Sequence, residues 1–395
     1  MKSDPLEMLR LFQADLIHIR RDLHANPELA FEETRTSQLV ADKLTEWGIE
    51  VHRGIAKTGL VGVVRGKKST SGRAIGLRAD MDCLPMHETS DVPHKSRNAG
   101  RMHACGHDGH TTMLLGAARY LAQTRNFDGT AHLIFQPAEE GGAGGNVMVQ
   151  EGLFDRFPCE AVYALHNWPG LAAGKMSVRP GPVLAATDEM RITIRGRGGH
   201  GAMPHLTADP VVAAAQVITA LQTIASRNAN PLDAIVVSIC SMQTSQLGAF
   251  NVIPGHVMLI GTVRTFKAEM RDLAERRVRE IAGSISQALG TSAEIEYRRG
   301  YPATVNTERE AVFAARVGER VFGAANVLTD AEPTMGGEDF SFMLQARPGA
   351  YVFLGQGGGP SGCFLHNPGY DFNDDVIPLG AGYLAALVED SLPLK

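Results

Sequence analysis

Residues 74–82 read AIGLRADMD, a short apolar run that ends in two carboxylates. The same order, an apolar run followed by polar side chains, recurs in HLIFQPAEE at 132–140 and in EAVYALHN at 160–167. Helix-like segments at 34–47 and 108–123 alternate with these runs. The alternation predicts an α/β fold, a mostly parallel mixed sheet with helices on both faces. Ligands gather at the carboxyl ends of such strands, so we expect the polar clusters to share one site.

A different pattern begins near residue 186, where EMRITIRGRG alternates apolar and polar residues as a half-buried strand does. Two amphipathic helices and three further strands follow, and the last strand is SAEIEYR. The order β-α-β-β-α-β predicts a ferredoxin-like domain inserted into a larger discontinuous one. The expected boundaries are 1–185 and 302–395 for the catalytic domain and 186–301 for the inserted lid and dimerisation domain.

The composition excludes several classes of protein. Of the 395 residues, 44% are hydrophobic and 21% are charged, which indicates a globular protein. The net charge of −5 gives no reason to expect nucleic acid or an anionic membrane as a partner. The five cysteines are too few and too scattered for a disulfide framework, so we expect a reduced, cytoplasmic compartment. We also expect no signal peptide and no membrane span.

The densest cluster of reactive side chains is MHACGHDGH at 102–110. Cys105 and His107 are two residues apart, and Gly106 lets the backbone bend so that both side chains reach one centre. Thiolate and imidazole suit zinc and its transition-metal neighbours rather than calcium or magnesium. The segment alone is also compatible with a buried cysteine beside surface histidines.

Four further residues are candidates, two adjacent glutamates and two histidines in similar tripeptides. Glu139 and Glu140 are adjacent, so in extended chain one could bind a metal while the other faces a substrate. His166 and His366 both lie in the tripeptide Leu-His-Asn, with a proline shortly after it. Carboxylate pairs are common on surfaces, and single histidines are usually satisfied hydrogen-bonding groups. Together with Cys-Gly-His, however, a shared metal site is the better interpretation.

The chain also resembles a known family along nearly its whole length. The motifs that carry the resemblance occur in this order: RADMDCLP (78–85), MHACGHDGH, QPAEE, LHNWPG, GRGGHGAMPH (196–205), NVIPG (251–255), GGEDFSF and LHNPGY. Together they resemble the metal-dependent aminoacylase and carboxypeptidase superfamily. They are most similar to its amidohydrolase branch, which includes hippurate hydrolase, N-acyl-L-amino-acid amidohydrolases and indoleacetyl-amino-acid hydrolases.

The resemblance implies two divalent metal ions, zinc or manganese, for which cobalt or nickel could substitute. It implies five ligands, and because two ions share them, Cys105 is the candidate bridge. Asp82 corresponds to a carboxylate beside the metals, whereas Asp80 replaces a ligating histidine of the wider superfamily and has no assigned role. His103 and His110 are expected to orient the ligands. The implied ligands are Cys105, His107, Glu140, His166 and His366.

The resemblance also implies the chemistry. Glu139 would act as general base toward a metal-activated water that attacks an amide carbonyl. His200, in GRGGHGA, would donate a hydrogen bond to the oxyanion, in its own subunit or in its neighbour. Asn251 and Arg264 would meet the substrate's carboxylate, and Gly337 would let the substrate backbone approach closely. A strand-end arginine such as Arg264 is also ordinary at a surface.

The leading hypothesis is therefore a hydrolase of N-acyl or N-aroyl L-amino acids, such as benzoylglycine. A dipeptidase or carboxypeptidase that uses the same site is the alternative among metalloenzymes. A metal- or ligand-binding protein without catalysis would need no base, so Glu139 argues against it. A thiol redox enzyme based on Cys105 would lack a neighbouring resolving cysteine. A homodimer through the inserted domain is expected from the resemblance.

Overall fold

The structure is a computed structural model that describes residues 5–359 and 361–394. The predicted outer ends of the catalytic domain, residues 1 and 395, lie outside the described residues. Within those residues, no helix combines the length and the apolar character that crossing a bilayer requires.

The helices and strands have the following bounds. The α-helices are α1 Pro5–Ala25, α2 Thr34–Glu46, α3 His107–Thr124, α4 Gly144–Gln150, α5 Leu153–Arg156, α6 Pro210–Leu221, α7 Ala268–Ala288, α8 Glu308–Phe322, α9 Phe340–Ala346 and α10 Ile377–Ser391. The strands are β1 Glu50–Ile55, β2 Gly59–Arg65, β3 Ala74–Asp80, β4 Thr130–Gln136, β5 Ala161–Trp168, β6 Met176–Ser177, β7 Gly181–Leu184, β8 Ala186–Arg195, β9 Gly199–His200, β10 Ile235–Thr244, β11 Val252–Ile253, β12 His256–Thr265, β13 Ser292–Arg299, β14 Thr304–Asn306, β15 Val327–Leu328 and β16 Gly349–Gly355.

The chain forms two compact units. The first comprises Met1–Val183, Val305–Glu332 and Asp339–Lys395, and the second comprises Leu184–Thr304 and Pro333–Glu338. The second unit therefore takes in a short segment, which includes Gly337, that the sequence placed with the catalytic domain. As a division into domains, the predicted boundaries stay a prediction.

The first unit is built on an eight-stranded mixed sheet of order β1-β2-β4-β3-β5-β16-β6-β15. The central strands β4, β3, β5 and β16 are parallel. β1 pairs antiparallel with β2, β2 with β4 and β6 with β16, while β15 runs parallel to β6. The predicted α/β class, a large mixed sheet flanked by helices, is confirmed. α3 is buried along most of its length and packs against α1 and α10. Its apolar side chains belong to the main core with those of β2, β3 and β4.

The second unit contains an antiparallel sheet of order β10-β12-β8-β13 with α6 and α7 packed on it. β8 has the alternation read from the sequence, since Met190, Ile192 and Ile194 are buried in the unit's core. α6 begins at Pro210 because the Asp209 side chain accepts a hydrogen bond from the Val211 N–H at 2.8 Å and caps the helix.

Candidate metal centre

The five predicted metal ligands converge in the first unit. The ligand atoms of Cys105, His107 and His166 lie within 4.8 Å of one another, and so do those of Cys105, Glu140 and His366. Cys105 belongs to both sets, and its Sγ lies 3.4 Å from His166 Nε2. Residues up to 261 positions apart in sequence, from Cys105 to His366, thus form one cluster.

Gly106 gives the Cys-Gly-His segment its shape. Its φ of 94° lies in the left-handed region, and a Cβ there would come within 2.4 Å of Asn167 Oδ1. α3 begins at the next residue, His107, one position earlier than the sequence indicated. The turn therefore separates a buried thiol from an imidazole that stands on the first residue of a rigid helix.

Asp82 holds the loop that carries the two glutamates. Its carboxylate oxygens accept hydrogen bonds from the backbone N–H groups of Glu139 and Glu140, each at 2.9 Å. Just before them, Ala138 has a φ of 56°, which directs the chain away from β4. Glu140 Oε1 lies 3.3 Å from His366 Nε2. Glu139 is 7% exposed and close to His107 and Glu140. Asp82 therefore acts on the loop's backbone.

Backbone carbonyls fix how two of the histidines present their rings. His107 Nδ1 donates to the carbonyl of Asp82 at 2.9 Å, and His166 Nδ1 donates to the carbonyl of Asn167 at 2.7 Å. Each ring therefore turns its Nε2 toward the cluster, where it can ligate a metal once it carries no proton. Nε2 of His107 is buried and makes no hydrogen bond to any described residue. A buried imidazole nitrogen held in this way is typical of a metal ligand.

The electrostatics of the cluster favour a cation. Burial disfavours a charged His107, but the carboxylates of Asp80 and Asp82 outweigh burial and raise its pKa to about 10. Burial and the charges of Glu140 and Glu139 raise the pKa of the Cys105 thiol well above its usual value. The site thus has excess negative charge. A bound divalent ion would neutralise that charge and stabilise the thiolate.

The donor set matches a transition metal. It offers one sulfur, three imidazole nitrogens and a carboxylate, which are the ligands that zinc and its neighbours prefer. Burial and the charge of His110 hold the pKa of His166 well below its usual value, so its imidazole is in the neutral, ligating form. The residues present therefore fit the predicted pair of ions.

Asp80 is held by protein groups. Arg78 Nη1 donates to its Oδ2 at 2.7 Å, and His110 Nδ1 lies 2.6 Å from its Oδ1. Its Oδ2 lies 3.7 Å from Nε2 of His107. Burial opposes ionisation, but the charges of His107 and Arg78 outweigh it and hold the pKa of Asp80 well below its usual range. Asp80 thus places a carboxylate beside a predicted ligand and orients His110.

Glu33 is a positioning residue that the sequence motifs did not reveal. Its buried carboxylate accepts hydrogen bonds from the Ala138 N–H at 2.8 Å and from Thr58 Oγ1 at 2.6 Å. Burial raises the pKa of Glu33 to about 7. Together with Asp82 it fixes the backbone around the predicted base. The only local indication was that Glu33 ends the tetrapeptide Ala-Phe-Glu-Glu, which begins with two apolar residues, a context in which a carboxylate can be buried.

Asn167 is a second residue that the sequence did not single out. Its Oδ1 lies 2.6 Å from His110 Nε2, and its Nδ2 donates to Tyr370 Oη at 2.7 Å and Gln356 Oε1 at 2.9 Å. Asn167 thus ties the end of β5 to the C-terminal loop. The repeated Leu-His-Asn could have pointed to it.

A separate buried ionic cluster lies behind the start of α3. Arg20 contacts Asp371 at 2.9 Å and Asp374 at 2.6 Å. His24 Nδ1 lies 2.8 Å from Asp108 Oδ2. Burial disfavours a charged His24, but Asp108 outweighs it and raises its pKa to about 9. The charges of this cluster are matched by protein groups.

The remaining predicted residues lie in the second unit. His200 is exposed on β9, which pairs with β11, and the Gly201 N–H donates to the Asn251 carbonyl at 2.7 Å. Arg264 is half-buried on β12, where its guanidinium contacts Thr262 Oγ1. A Cβ at Gly337 would lie 2.2 Å from Thr187 Cγ2, so only glycine fits there. The roles of these four residues toward the substrate stay predictions.

A cavity of about 880 Å³ elsewhere in the first unit contains none of the predicted site residues. Its lining mixes acidic and basic side chains around the starts of β3 and β5, and includes Arg73, Glu160 and Arg309. The predicted ligands instead follow the opposite, carboxyl ends of the central strands.

Comparison with known proteins gives one consistent result. Residues 76–390 match the model of peptidase family M20/M25/M40. The chain is 42% identical to a hippurate hydrolase of Campylobacter jejuni, over 95% of this chain and 96% of the relative. It is 37% identical to an N-acetyl-L-cysteine deacetylase of Bacillus subtilis, over 95% and 88%.

A solved structure extends the comparison. A Bacillus subtilis protein, described as a dinuclear metal binding peptidase of the M20 family, superimposes with a TM-score of 0.83 at 33% identity. The match covers 97% of this chain and 99% of that one. The chain therefore belongs to peptidase family M20/M25/M40, in the metal-dependent amidohydrolase branch of that family.

Proposed function

We propose that the protein hydrolyses the amide bond of N-acyl or N-aroyl L-amino acids to a carboxylate and an amino acid. The observation that carries the proposal is the cluster itself, in which the Cys105 sulfur, the imidazoles and Glu140 converge. Glu139 lies beside them and is buried, which is rare for a glutamate that has no structural or functional role. The relatives named as hippurate hydrolase and N-acetyl-L-cysteine deacetylase support this substrate class.

Cys105, His107, Glu140, His166 and His366 would hold two divalent ions, with Cys105 as the shared ligand. When bound, the ions would supply Lewis acidity toward the amide carbonyl and toward water. The relative described as dinuclear supports the number of ions. Zinc and manganese both suit the donor set.

Glu139 performs the proton transfers in this proposal. It takes a proton from the attacking water as the new C–O bond forms at the carbonyl carbon. It then gives that proton to the amide nitrogen as the C–N bond breaks, so that the amine leaves as a neutral group. His200 would donate a hydrogen bond to the oxyanion, and Arg264 with Asn251 would bind the substrate's carboxylate. Gly337 would admit the substrate backbone.

A panel of substrates tests the proposal. The protein is reconstituted with Zn²⁺ or Mn²⁺ and offered acylated amino acids and free dipeptides of matched sequence. We expect turnover of the acylated compounds and its loss on chelation. Turnover of the free dipeptides alone would instead establish a dipeptidase on the same site. Activity that a chelator does not reduce would contradict a metal-dependent reaction.

The same proposal includes a homodimer formed through the second unit. β10 is an edge strand of its sheet, and large apolar side chains such as Leu247 and Phe250 are almost fully exposed nearby in sequence. An unpaired edge with apolar surface favours association. Light scattering after size exclusion should give twice the chain mass, and a monomer would contradict it.

A further inference from the structure

Three aromatic side chains of the first unit form a continuous surface, which we call the aromatic shelf: Trp168, Phe353 and Phe364. The ring centroids of Trp168 and Phe353 lie 4.5 Å apart. Phe364 meets Trp168 edge to face, with centroids 5.2 Å apart. Both spacings are those of favourable aromatic pairs, so the three rings support one another.

The shelf is joined to the metal cluster at both ends. Trp168 follows His166 by two residues in β5, so their side chains stand on the same face of the sheet about 7 Å apart along the strand. Phe353 is the neighbour of His166 on β16. Phe364 precedes His366 by two residues, on the loop that the His366 N–H anchors to the carbonyl of Ala104 at 2.8 Å.

The outer part of the shelf is uncovered. Phe353 is buried and serves as its base, Trp168 is half-buried, and Phe364 is 48% exposed. Gly170 lies at its edge, where a Cβ would come to 3.4 Å from Trp168 Nε1 and 3.5 Å from Phe364 Cε2. The lack of a side chain at Gly170 keeps both rings accessible. An exposed apolar surface beside a catalytic cluster is typical of a ligand-binding groove.

We propose that Trp168 and Phe364 receive the acyl group of the substrate and make the enzyme select aromatic acyl groups over acetyl. The inference rests on the proposed function, because it assigns the part of the substrate that lies on the carbonyl side of the scissile bond. A planar ring can stack on the indole or meet the Phe364 edge, whereas a methyl group reaches neither.

The experiment compares kcat/KM for N-benzoylglycine and N-acetylglycine in the metal-reconstituted protein. We expect the wild type to prefer benzoylglycine by about tenfold or more, and Phe364→Ala and Trp168→Ala each to reduce that ratio by about tenfold. The value for acetylglycine should stay within about threefold, since its methyl group does not reach the shelf. Leu11→Ala, which removes an apolar side chain 81% exposed on α1, is the matched control and should change neither value.

The outcomes separate the two proposals. A parallel fall in both substrates, or an unchanged ratio, would overturn the role of the shelf and leave the proposed function intact. Failure of the wild type to hydrolyse any acylated amino acid of the panel would overturn the proposed function, whereas hydrolysis of other panel members but not of benzoylglycine would overturn the inference alone.

A binding measurement tests the contact with little turnover when every protein also carries Glu139→Gln. Trp168 is one of two tryptophans in the chain, so benzoylglycine should change the intrinsic fluorescence of the protein that retains Trp168. Trp168→Phe, which keeps an aromatic ring, should lose that change and retain most of the selectivity. Acetylglycine should leave the fluorescence unchanged. A fluorescence change that persists in Trp168→Phe would show that the benzoyl ring does not bind at Trp168.

Discussion

The metal cluster of the first unit and the His200 loop of the second unit are built in opposite ways. In the cluster, the five proposed ligands come from four separate segments, three of them are buried, and backbone groups or Asp82 hold several of them. In the loop, His200 is exposed and its backbone pairs with a short strand. The difference shows that the structure by itself supports a function for the cluster but not for His200. Burial of many polar groups demands an explanation, whereas an exposed histidine needs none.

The largest expected effect is the loss of activity in a variant that lacks the proposed base but keeps the metal ligands. Glu139→Gln should lower kcat by about 10²–10⁴-fold, because the amide cannot accept a proton from water. Metal content, measured by elemental analysis, should stay at the wild-type value since Glu139 is not a proposed ligand. Glu140→Gln provides the contrast, with loss of metal expected as well. Unchanged turnover in Glu139→Gln would rule out the assigned base.

The next prediction tests the exposed side of the comparison. His200→Ala should lower kcat by about 10²–10³-fold if His200 donates to the oxyanion. Its stability and metal content should not change, because the side chain is exposed. His205→Ala removes another exposed histidine of the same unit and serves as the control. Equal activity in the His200→Ala and His205→Ala variants would contradict a role for His200 in stabilising the oxyanion.

The buried charge of His24 is paired with protein carboxylates, in contrast to the metal cluster, so it should contribute to stability in a pH-dependent way. The pKa of His24 is about 9 in the folded protein against 6.5 unfolded, so its charge stabilises the fold fully below pH 6.5. That contribution, about 3 kcal/mol, should disappear as the pH rises through 9. Urea unfolding of wild type and His24→Gln should therefore differ most at pH 6 and converge above pH 9.

The matched variant for this measurement is His18→Gln, which alters an exposed histidine of the same helix. It should follow the wild type at every pH. A gap between wild type and His24→Gln that stays constant from pH 6 to pH 10 would show that packing, rather than charge, makes His24 stabilising.

The smallest expected effect concerns the support of the loop that carries Glu139 and Glu140. Glu33→Ala removes the acceptor of the Ala138 N–H and should lower kcat about tenfold with little change in KM, because support around an active group typically contributes 10–100-fold. Glu32→Ala changes the adjacent exposed carboxylate and should match the wild type. A rise in KM at constant kcat would instead assign Glu33 to substrate binding.

Much of the fold was predictable because periodicity reports burial. The alternation in β8 and the two amphipathic helices that follow it were read from local sequence and are present in the structure as β8, α6 and α7. The convergence of the five proposed ligands was also expected, since side chains that follow parallel strands meet at one edge. These features depend on neighbouring residues or on a general rule of sheets.

The supporting contacts were not predictable in this way. The tripeptide Leu-His-Asn occurs twice, yet Asn167 is buried between β5 and the C-terminal loop, while Asn367 accepts a hydrogen bond from the Gly369 N–H in a turn. Glu33 and Ala138 are 105 positions apart and meet only after the sheet has formed. Identical local sequence therefore led to different contacts.

The sequence by itself determined the kinds of donor this protein offers, the order of its strands and helices, and the family to which it belongs. Only the tertiary structure decided that Asp82 and Glu33 hold the loop of Glu139 and Glu140, and that the half-buried Trp168 and the exposed Phe364 lie beside the cluster. The physical reason is distance. Local chemistry is set by each residue and its neighbours, whereas these contacts join segments that come together only when the core excludes water.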